Sequence, residues 1–157
     1  MRIIVTSDSH SRDSSFFNIV EKHIEEAEYF INLGDSNSGD DLENAKLYYK
    51  SKLHLECVAG NCDWSSTLPT EKILKAGGKT IFFCHGHTYY VKHGIERLIE
   101  TARDRKADIA LFGHTHIPYH EYIDGIHYFN PGAVEDGNYG IIDITDAGIV
   151  CINAKIR

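Results

Sequence analysis

Short hydrophobic runs alternate with amphipathic segments through the first third of the chain. Residues 2–6 (RIIVT) form the first run, and the apolar positions after it recur at helical spacing, which predicts a helix from Ser14 to Ala27. Two further runs, 29–33 and 55–59, flank a second predicted helix over 41–53. Because strands that alternate with helices are typical of a parallel sheet covered by helices, we expect this arrangement here.

Strand and turn signals dominate the rest of the chain. Residues 71–85 predict a hairpin about a Gly-Gly pair, and a third helix is predicted from Gly94 to Lys106, before the apolar run 109–112. The remaining residues predict only strands, with a type I′ turn at Asp124-Gly125 and another turn near Asp146–Gly148. We therefore expect parallel early strands and antiparallel late strands, in two packed sheets with helices outside.

Length and charge bound the function. The 157 residues suffice for one sizeable core, and no linker, repeat or low-complexity segment divides them, so we expect a single domain over 1–157. The net charge of −7 with neutral histidines argues against long nucleic acid as a partner, which would need clustered Lys and Arg. A small anionic substrate stays open, because a metal site overrides the global charge locally. A homo-oligomer also stays open.

The four cysteines do not indicate a zinc ribbon or a redox motif. Cys57, Cys62, Cys84 and Cys151 form no C-x-x-C pair and are interpreted as reduced thiols. The N-terminal run is too short for a signal peptide, and no stretch reaches the ~20 apolar residues of a membrane span. We therefore expect a cytoplasmic protein without a membrane partner.

Five predicted strands are followed by side chains of the types that bind divalent metals. Because ligands of open α/β sheets bind outside the carboxyl ends of strands, these side chains are expected to gather at one edge. The candidate metal ligands are Asp8, His10, Asp35, Asn61, His85, His114 and His116.

The spacing of these residues points to two metal ions. In extended chain, residues i and i+2 face the same side with bases roughly 6–7 Å apart, enough to reach two ions held ~3.5–4 Å apart. His114 and His116 would then serve one ion each, Asp8 and His10 would share one ion, and Asp35 would bridge both. Two divalent ions and two carboxylates leave an excess charge of about +2, which suits a phosphate ligand and a bridging hydroxide.

The ordered motifs resemble the calcineurin-like metallophosphoesterases. They are D-x-H (8–10), G-D (34–35), G-N (60–61), H-G-H (85–87) and G-H-x-H (113–116). The small size, GNCD in place of GNH, and NPG at 130–132 resemble the small phosphodiesterase branch that includes the YfcE-like enzymes and the retromer subunit Vps29. As an ordered set these motifs are specific, although each dipeptide alone is weak.

The resemblance implies a four-layered αββα sandwich, in which two mixed β-sheets pack together between helices, with a dinuclear metal site. It assigns to the first ion the ligands Asp8, His10, Asp35 and His116. It assigns to the second ion the ligands Asp35, Asn61, His85 and His114. Manganese is the preferred occupant, with nickel, iron, zinc or magnesium as alternatives.

The implied function is that of a metal-dependent phosphodiesterase or phosphatase, with small phosphodiesters preferred over other phosphate esters. A metal-bridging hydroxide would attack phosphorus, and Asn61, His85 and His114 would position metal and phosphate. The alternative is a catalytically weak, Vps29-like protein-interaction scaffold, since Vps29-like proteins have lost some ligands. All seven positions carry competent residues here, which favours the enzyme.

Two departures from the family pattern concern the chemistry. Larger members place a histidine, thought to protonate the leaving oxygen, at the position of Cys62. A thiol with an ordinary pKa of ~8.5 is a poor substitute, so esters with acidic leaving groups are expected to react best. His87 is an alternative proton donor. Ala133 replaces the usual serine after N-P-G.

Other polar and aromatic residues have two interpretations each. Asp63 either orients a ligand histidine or caps its loop, and Asp13, Asp40 and Asp41 are expected to cap helices. The aromatic side chains that either line a substrate pocket or pack are Trp64, Tyr89 and Tyr90. The histidines expected to be structural or on the surface are His23, His54, His93, His120 and His127.

Overall fold

The computed structural model describes residues 1–10, 15–36 and 40–156, with only the backbone of Asp40. The α-helices are α1 (Ser15–His23), α2 (Asp40–Tyr49) and α3 (Glu96–Asp104). The strands are β1 (Arg2–Thr6), β2 (Tyr29–Asn32), β3 (Leu55–Cys57), β4 (Glu71–Ala76), β5 (Lys79–Cys84), β6 (Ile109–Leu111), β7 (Tyr119–Ile123), β8 (Ile126–Asn130), β9 (Asn138–Thr145) and β10 (Gly148–Lys155). Short 3₁₀ turns lie at Lys50–Lys52, His87–Tyr89, Val91–His93 and Val134–Asp136. None of the described helices has the length and apolar character needed to cross a membrane.

The strands form two mixed five-stranded sheets. The first has the order β10-β9-β1-β2-β3, in which β1, β2 and β3 are parallel. The last hairpin, β9–β10, joins this sheet with β9 antiparallel to β1. The second has the order β4-β5-β6-β8-β7, with β5, β6 and β8 parallel and antiparallel strands at both edges. The expectation that all late strands are antiparallel is therefore wrong for β8.

The burial of the β7–β8 hairpin explains the position of β8. All but one residue of β8 are fully buried, whereas the middle of β7 is exposed. The more apolar strand therefore lies beside β6, and the polar strand forms the edge. The hairpin turn itself is as predicted: Asp124 and Gly125 have φ values of 48° and 87°, as a type I′ turn requires.

Three apolar layers hold the four structural layers together. Side chains of both sheets, including Val5, Ile31, Phe83 and Leu111, fill the space between the sheets. Helices α1 and α2 cover the outer face of the first sheet, and α3 covers that of the second, where Leu98 and Ala102 are buried. The αββα sandwich expected from the motifs is thus confirmed.

The helices are shorter than their sequence patterns predict. Helix α1 ends at His23 in place of Ala27, α2 ends at Tyr49 and continues only as a 3₁₀ turn, and α3 ends at Asp104. Asp41 accepts a hydrogen bond from the Phe17 N–H at 3.2 Å, so it contacts the first turn of α1. This tertiary contact differs from the expected capping of α2. Asp13 and Ser14 lie outside the described residues.

Arg2 joins β1 to the last hairpin and to the turn after α1. Its Nε and Nη2 donate to the two Asp143 carboxylate oxygens at 2.8 Å each, and its Nη1 lies 2.8 Å from Glu26 Oε2. The hydrogen bond from Arg2 lowers the pKa of Asp143, while hydrogen bonds from His23 and then Arg2 lower the pKa of Glu26. Lowered carboxyl pKa values stabilise the fold above the ordinary carboxyl range, and this stabilisation is lost as pH falls through the folded-state values.

We predict that Arg2→Gln lowers the free energy of unfolding by about 1 kcal/mol at neutral pH, because a partly exposed bidentate network is lost. The difference from wild type should shrink below pH ~4, as the carboxyls become protonated. Urea unfolding of both proteins at several pH values measures this difference in the free energy of unfolding. Lys52→Gln is the control, since its ion pair with Glu25 is isolated and exposed. A difference that is independent of pH would contradict the assignment.

Candidate metal centre

Five loops carry the predicted ligands to one border of the two packed sheets. The loops follow β1, β2, β3, β5 and β6, which are parallel within their sheets. Because the carboxyl ends of parallel strands meet at one edge, side chains from distant parts of the chain become neighbours. The seven residues that come together are Asp8, His10, Asp35, Asn61, His85, His114 and His116.

One group within this cluster consists of Asp8, His10 and His116, whose ligand atoms all lie within 4.8 Å of one another. The Nε2 atoms of His10 and His116 are 3.2 Å apart, and His116 Nε2 is 3.2 Å from Asp8 Oδ1. Metal–nitrogen and metal–oxygen bonds of about 2.0–2.2 Å would place a cation between atoms at this spacing. The group could therefore hold one divalent ion.

A second group consists of Asp35, His85 and His114. His85 Nε2 lies 3.2 Å from His114 Nδ1, 3.3 Å from Asp35 Oδ2 and 3.1 Å from Asn61 Oδ1. The same Asp35 oxygen is 3.9 Å from His10 Nε2 of the first group. Asp35 thus lies between the two groups, and the two histidines of GHTH belong to different groups.

The backbone conformation that brings these residues together differs from the predicted one. The prediction placed the D-x-H and G-H-x-H pairs in extended chain, but the left-handed region is occupied by Asp8, His10, Asp35, His114 and His116, with φ between 46° and 68°. Such conformations are uncommon for residues with a Cβ and cluster at functional sites. The strands end two or more residues earlier, and turns aim the side chains.

Backbone hydrogen bonds between loops hold these turns. Asp8 N–H donates to Gly34 O and His10 N–H donates to Asp35 O, both at 3.0 Å, so the first two loops are tied together. Gly113 N–H donates to His85 O at 2.8 Å and ties the two loops of the second sheet. The left-handed conformations are therefore supported by contacts distant in sequence.

One oxygen of Asp8 is a buried acceptor that lacks a hydrogen-bond donor within the described part of the chain. Asp8 Oδ2 accepts from the Ser7 hydroxyl at 2.6 Å and from the His114 N–H at 3.0 Å. Asp8 Oδ1 is inaccessible to solvent and accepts no hydrogen bond from the described residues. Leaving a buried carboxylate oxygen unpaired is costly, whereas a cation would satisfy it. The donor set therefore fits a divalent ion.

His85 directs its Nε2 atom, and not Nδ1, toward the other candidate ligands. Its Nδ1 lies 2.8 Å from the Leu33 carbonyl oxygen, which can only accept, so Nδ1 carries the proton. Nε2 faces Asp35 and His114, and once it is deprotonated, as metal binding requires, its lone pair is directed toward them. A carbonyl that fixes the tautomer in this way is typical of histidines that bind metals.

The charges of the site favour a cation. Burial alone would raise the pKa of Asp35, but the hydrogen bond and charge of His85 and the Cys62 N–H outweigh it and hold the pKa well below the usual range. Burial, with the neighbouring His85, lowers the pKa of His114 to about 4. At neutral pH, Asp35 is therefore charged and the His114 lone pair is available.

Glycines allow the loops to approach closely. A Cβ on Gly60 would come within 2.0 Å of Asp35 Oδ1, and one on Gly113 would come within 2.0 Å of Ser7 Oγ. Both close approaches involve the residues that shape the centre. These positions therefore exclude any side chain larger than hydrogen.

Two asparagines and Asp63 support the loops, and sequence reasoning did not assign these roles. Asn32 and Asn130 each accept the N–H of the residue two positions on, Gly34 and Gly132. Asn130 Nδ2 also donates to Gly113 O and Thr115 Oγ1 of the GHTH loop, both at 3.0 Å. The repeated N-x-G signal, at 32–34 and 130–132, could have identified them.

Asp63 contacts backbone groups in place of a histidine. Its Oδ2 accepts from the N–H of Asp35 at 2.8 Å and from that of Gly60 at 2.7 Å. One carboxylate oxygen thus fixes the start of two ligand-bearing loops. Neither expected role, orienting a ligand histidine or capping only its own loop, describes this contact.

Cys62 and His87, the two residues considered as proton donors, both lie near the centre. Cys62 Sγ lies within 4.8 Å of ligand atoms of His10 and Asp35, and burial and then the charge of Asp35 raise the pKa of the thiol. The His87 ring centroid is 5.4 Å from that of His85, and its Nδ1 is buried with no hydrogen-bond partner among the described residues. Both therefore lie beside the seven-residue cluster.

The three aromatic candidates differ in their exposure and in their contacts. Tyr89 packs edge-on against Phe82 and donates to Glu71, Tyr90 is exposed and stacks with Arg97, and Trp64 is 92% exposed.

Comparison with known proteins shows that the chain belongs to the calcineurin-like phosphoesterases. Residues 1–146 match the model of the Calcineurin-like phosphoesterase superfamily domain. The family consists of metallophosphoesterases, so membership implies divalent metal ions. The resemblance inferred from the ordered motifs is thereby confirmed for the family.

Two bacterial relatives align with most of the chain. The probable metallophosphoesterase YsnB of Bacillus subtilis is 31% identical over 134 residues, which cover 85% of this chain and 75% of that protein. The phosphodiesterase YfcE of Escherichia coli K12 is 26% identical over an alignment of 179 positions, covering 98% of this chain and 93% of YfcE.

Solved structures show the same fold. A predicted phosphoesterase from Streptococcus pneumoniae superimposes with a TM-score of 0.87 at 23% identity, covering 98% of this chain and 88% of that one. Wild-type Vps29 of Entamoeba histolytica complexed with Zn²⁺ superimposes with a TM-score of 0.74 at 18% identity, covering 99% of each chain.

We predict that Asp63→Ala weakens metal binding about 10–100-fold, the usual scale for losing a group that orients ligands. The reason is that the N–H groups of Asp35 and Gly60 lose their shared acceptor, so the loop that carries the Asp35 carboxylate is no longer held. Calorimetric titration of metal-free protein with Mn²⁺ measures the affinity. Ser66→Ala is the matched control, because its hydroxyl accepts only from Leu68 in the same exposed loop. Equal affinities of Asp63→Ala and wild type would disprove this role.

Proposed function

We propose that the protein is a metal-dependent phosphodiesterase that hydrolyses small phosphodiesters. The observation that carries this proposal is the convergence of seven metal-ligand side chains in two adjacent groups, with Asp35 between them. A buried carboxylate oxygen of Asp8, which accepts no hydrogen bond from the described residues, supports it. Family membership supports the phosphoester chemistry.

In this proposal, each of the two groups of ligands would hold one metal ion. Asp8, His10 and His116 would hold one ion and Asn61, His85 and His114 the other, with Asp35 shared. When bound, two such ions supply a water of lowered pKa and positive charge beside the phosphoryl oxygens. Manganese is the preferred metal for both ions in this proposal, with nickel, iron, zinc or magnesium as alternatives.

The chain's own residues would orient the substrate. Asn61 is exposed at the mouth of the centre, and its amide donates to Cys62 Sγ at 3.3 Å. That amide is free to turn toward a phosphate, while its oxygen faces His85. His114, neutral at pH 7 because its pKa is about 4, keeps a lone pair toward the site and an N–H for the phosphate side.

The proposed preference for diesters over monoesters rests on sequence similarity to a named relative. The relative YfcE is named a phosphodiesterase, and its alignment spans nearly the whole of this chain. The cytoplasmic location also remains an inference from the sequence. The oligomeric state stays open.

A second candidate is an interaction scaffold of the Vps29 type, favoured by the common fold. Exposed apolar side chains such as Leu47, Tyr48 and Trp64 give this candidate a surface. The complete ligand set favours the enzyme, because a scaffold has no need of seven converging donors at a buried site.

We predict that metal-free protein does not hydrolyse bis-p-nitrophenyl phosphate and that added Mn²⁺ restores turnover, at a higher rate than for p-nitrophenyl phosphate. Asp35→Asn and His114→Ala should each lower kcat/KM at least about 100-fold, the scale for losing one electrostatic stabiliser of the transition state. Release of p-nitrophenolate measures the rate.

His93→Ala is the matched control, since His93 is an exposed histidine that lies outside the seven-residue cluster. Its rate should equal that of wild type. Absence of turnover with Mn²⁺, Ni²⁺, Zn²⁺ or Mg²⁺, despite tight binding of the ion, would reject the enzyme and leave the scaffold.

The thiol at Cys62 predicts a dependence on the leaving group. Burial and the Asp35 charge raise its pKa, so it is a weaker acid than an imidazolium at neutral pH. We expect the rate to fall steeply as the leaving-group pKa rises across a series of aryl phosphodiesters. Cys62→His should flatten this slope by supplying a proton, whereas Cys62→Ser should not. The same slope in all three proteins would show that position 62 takes no part in leaving-group protonation.

A further inference from the structure

A second cluster of metal-ligand side chains lies where edge strands of the two sheets meet. His120 is on β7, the edge of the second sheet, His127 is on β8 beside it, and Cys151 is on β10, the edge of the first sheet. The ligand atoms of these three residues all lie within 4.8 Å of one another. The sequence pattern predicted only structural or surface roles for these two histidines.

The register of β7 and β8 aligns the two histidines. Tyr122 pairs with His127 and His120 pairs with Phe129, so these four side chains share one face of the hairpin. Phe129 is part of the core between the sheets, so this face points toward the first sheet. The imidazole rings stack with centroids 5.3 Å apart, and His120 Nε2 lies 3.0 Å from His127 Nδ1.

Cys151 completes the cluster from the opposite sheet. It packs against the edge of the same core, and two residues further on, Asn153 Nδ2 donates to the Asn130 carbonyl oxygen at 3.0 Å. That hydrogen bond ties β10 to the end of β8. The thiol is therefore held beside the histidines by the packing of the two sheets.

The cluster is separate from the candidate metal centre. His127 pairs with Ile109 at the start of β6, whereas His114 and His116 follow the end of that strand. On the first sheet, Cys151 pairs with Ile142, which pairs with Ile3 near the start of β1. Both registers place the cluster toward the amino ends of the parallel strands.

We propose that His120, His127 and Cys151 form a further metal site, which binds a borderline or soft cation such as Zn²⁺ through two imidazole nitrogens and one thiolate. Tetrahedral bonds of about 2.0–2.3 Å separate ligand atoms by roughly 3.3–3.8 Å, so small side-chain movements are sufficient. His120 is exposed, which opens the site to ions and leaves a fourth position to water. Nitrogen and sulfur ligands select zinc-like ions over Mg²⁺ or Ca²⁺.

Binding would rearrange two protons. The 3.0 Å contact between the rings is an N–H···N hydrogen bond, in which one ring donates to the lone pair of the other. That proton moves to the outer nitrogen of its own ring, so that both inner lone pairs face the ion. The thiol releases its proton to solvent. The bound ion would then link the edges of the two sheets and stabilise the sandwich.

The test uses Co²⁺ as a spectroscopic probe of thiolate binding. It uses the full-length Cys62→Ser protein, because Cys62 is the other thiol in a cluster of metal-ligand side chains. We expect a sulfur-to-cobalt charge-transfer band that saturates with one ion per chain. The band should be lost in Cys62→Ser/Cys151→Ser and in Cys62→Ser/His120→Ala, and kept in Cys62→Ser/His93→Ala. No band in the Cys62→Ser protein, or a band that survives Cys151→Ser, would overturn the proposal.

Zinc stoichiometry provides a second measurement in the otherwise unchanged chain. Metal-free wild type, loaded with Zn²⁺ and desalted, should retain one more ion per chain than Cys151→Ser or His120→Ala. The Zn²⁺-induced rise in Tm should be smaller in both variants than in wild type and His93→Ala. Equal zinc content in all four proteins would refute the site, whatever the hydrolytic activity.

Discussion

The buried carboxylate of Asp8 is the constraint on which the candidate metal centre depends. One of its oxygens accepts from Ser7 in its own loop and from the backbone of His114 in the other sheet, so a single side chain joins the two sheets at their common border. The other oxygen accepts no hydrogen bond from the described residues and faces histidine nitrogens, the nearest being His116 Nε2 at 3.2 Å. A carboxylate in this state is costly to bury, and a cation removes the cost. The metal-free fold therefore bears a cost at this position that a bound cation would remove.

The supporting residues show how the arrangement is maintained. Five donors lie in left-handed conformations that an isolated chain would avoid, and hydrogen bonds between loops distant in sequence hold them. Asp63 fixes the backbone of two loops, and Asn130 fixes the loop of the second sheet. Proteins depart from local conformational preferences mainly at functional sites, and five of the nine described non-glycine residues with positive φ are candidate metal ligands.

The same two-sheet architecture creates both clusters of metal ligands. Parallel strands at the centre of each sheet bring five loops to one border, where the charged and polar donors meet. Edge strands bring His120, His127 and Cys151 together toward the other end. The first cluster is formed by loops and the second by strand registers, and a thiol stands in the second where the first has carboxylates.

The sequence by itself determined the family, the order of the donors and the alternation of strands and helices, because strand periodicity, turn residues such as Asp124-Gly125 and metal-ligand residue types are local signals. The family resemblance implied how the donors group, but only the tertiary structure decided the left-handed turns that aim them, since these turns depend on hydrogen bonds between distant loops. It likewise decided that β8 lies parallel beside β6, because burial of the more apolar strand of a hairpin is a property of the assembled sheet. The cluster of His120, His127 and Cys151 had no signal in the sequence, because three isolated residues become neighbours only when the edges of two sheets pack together.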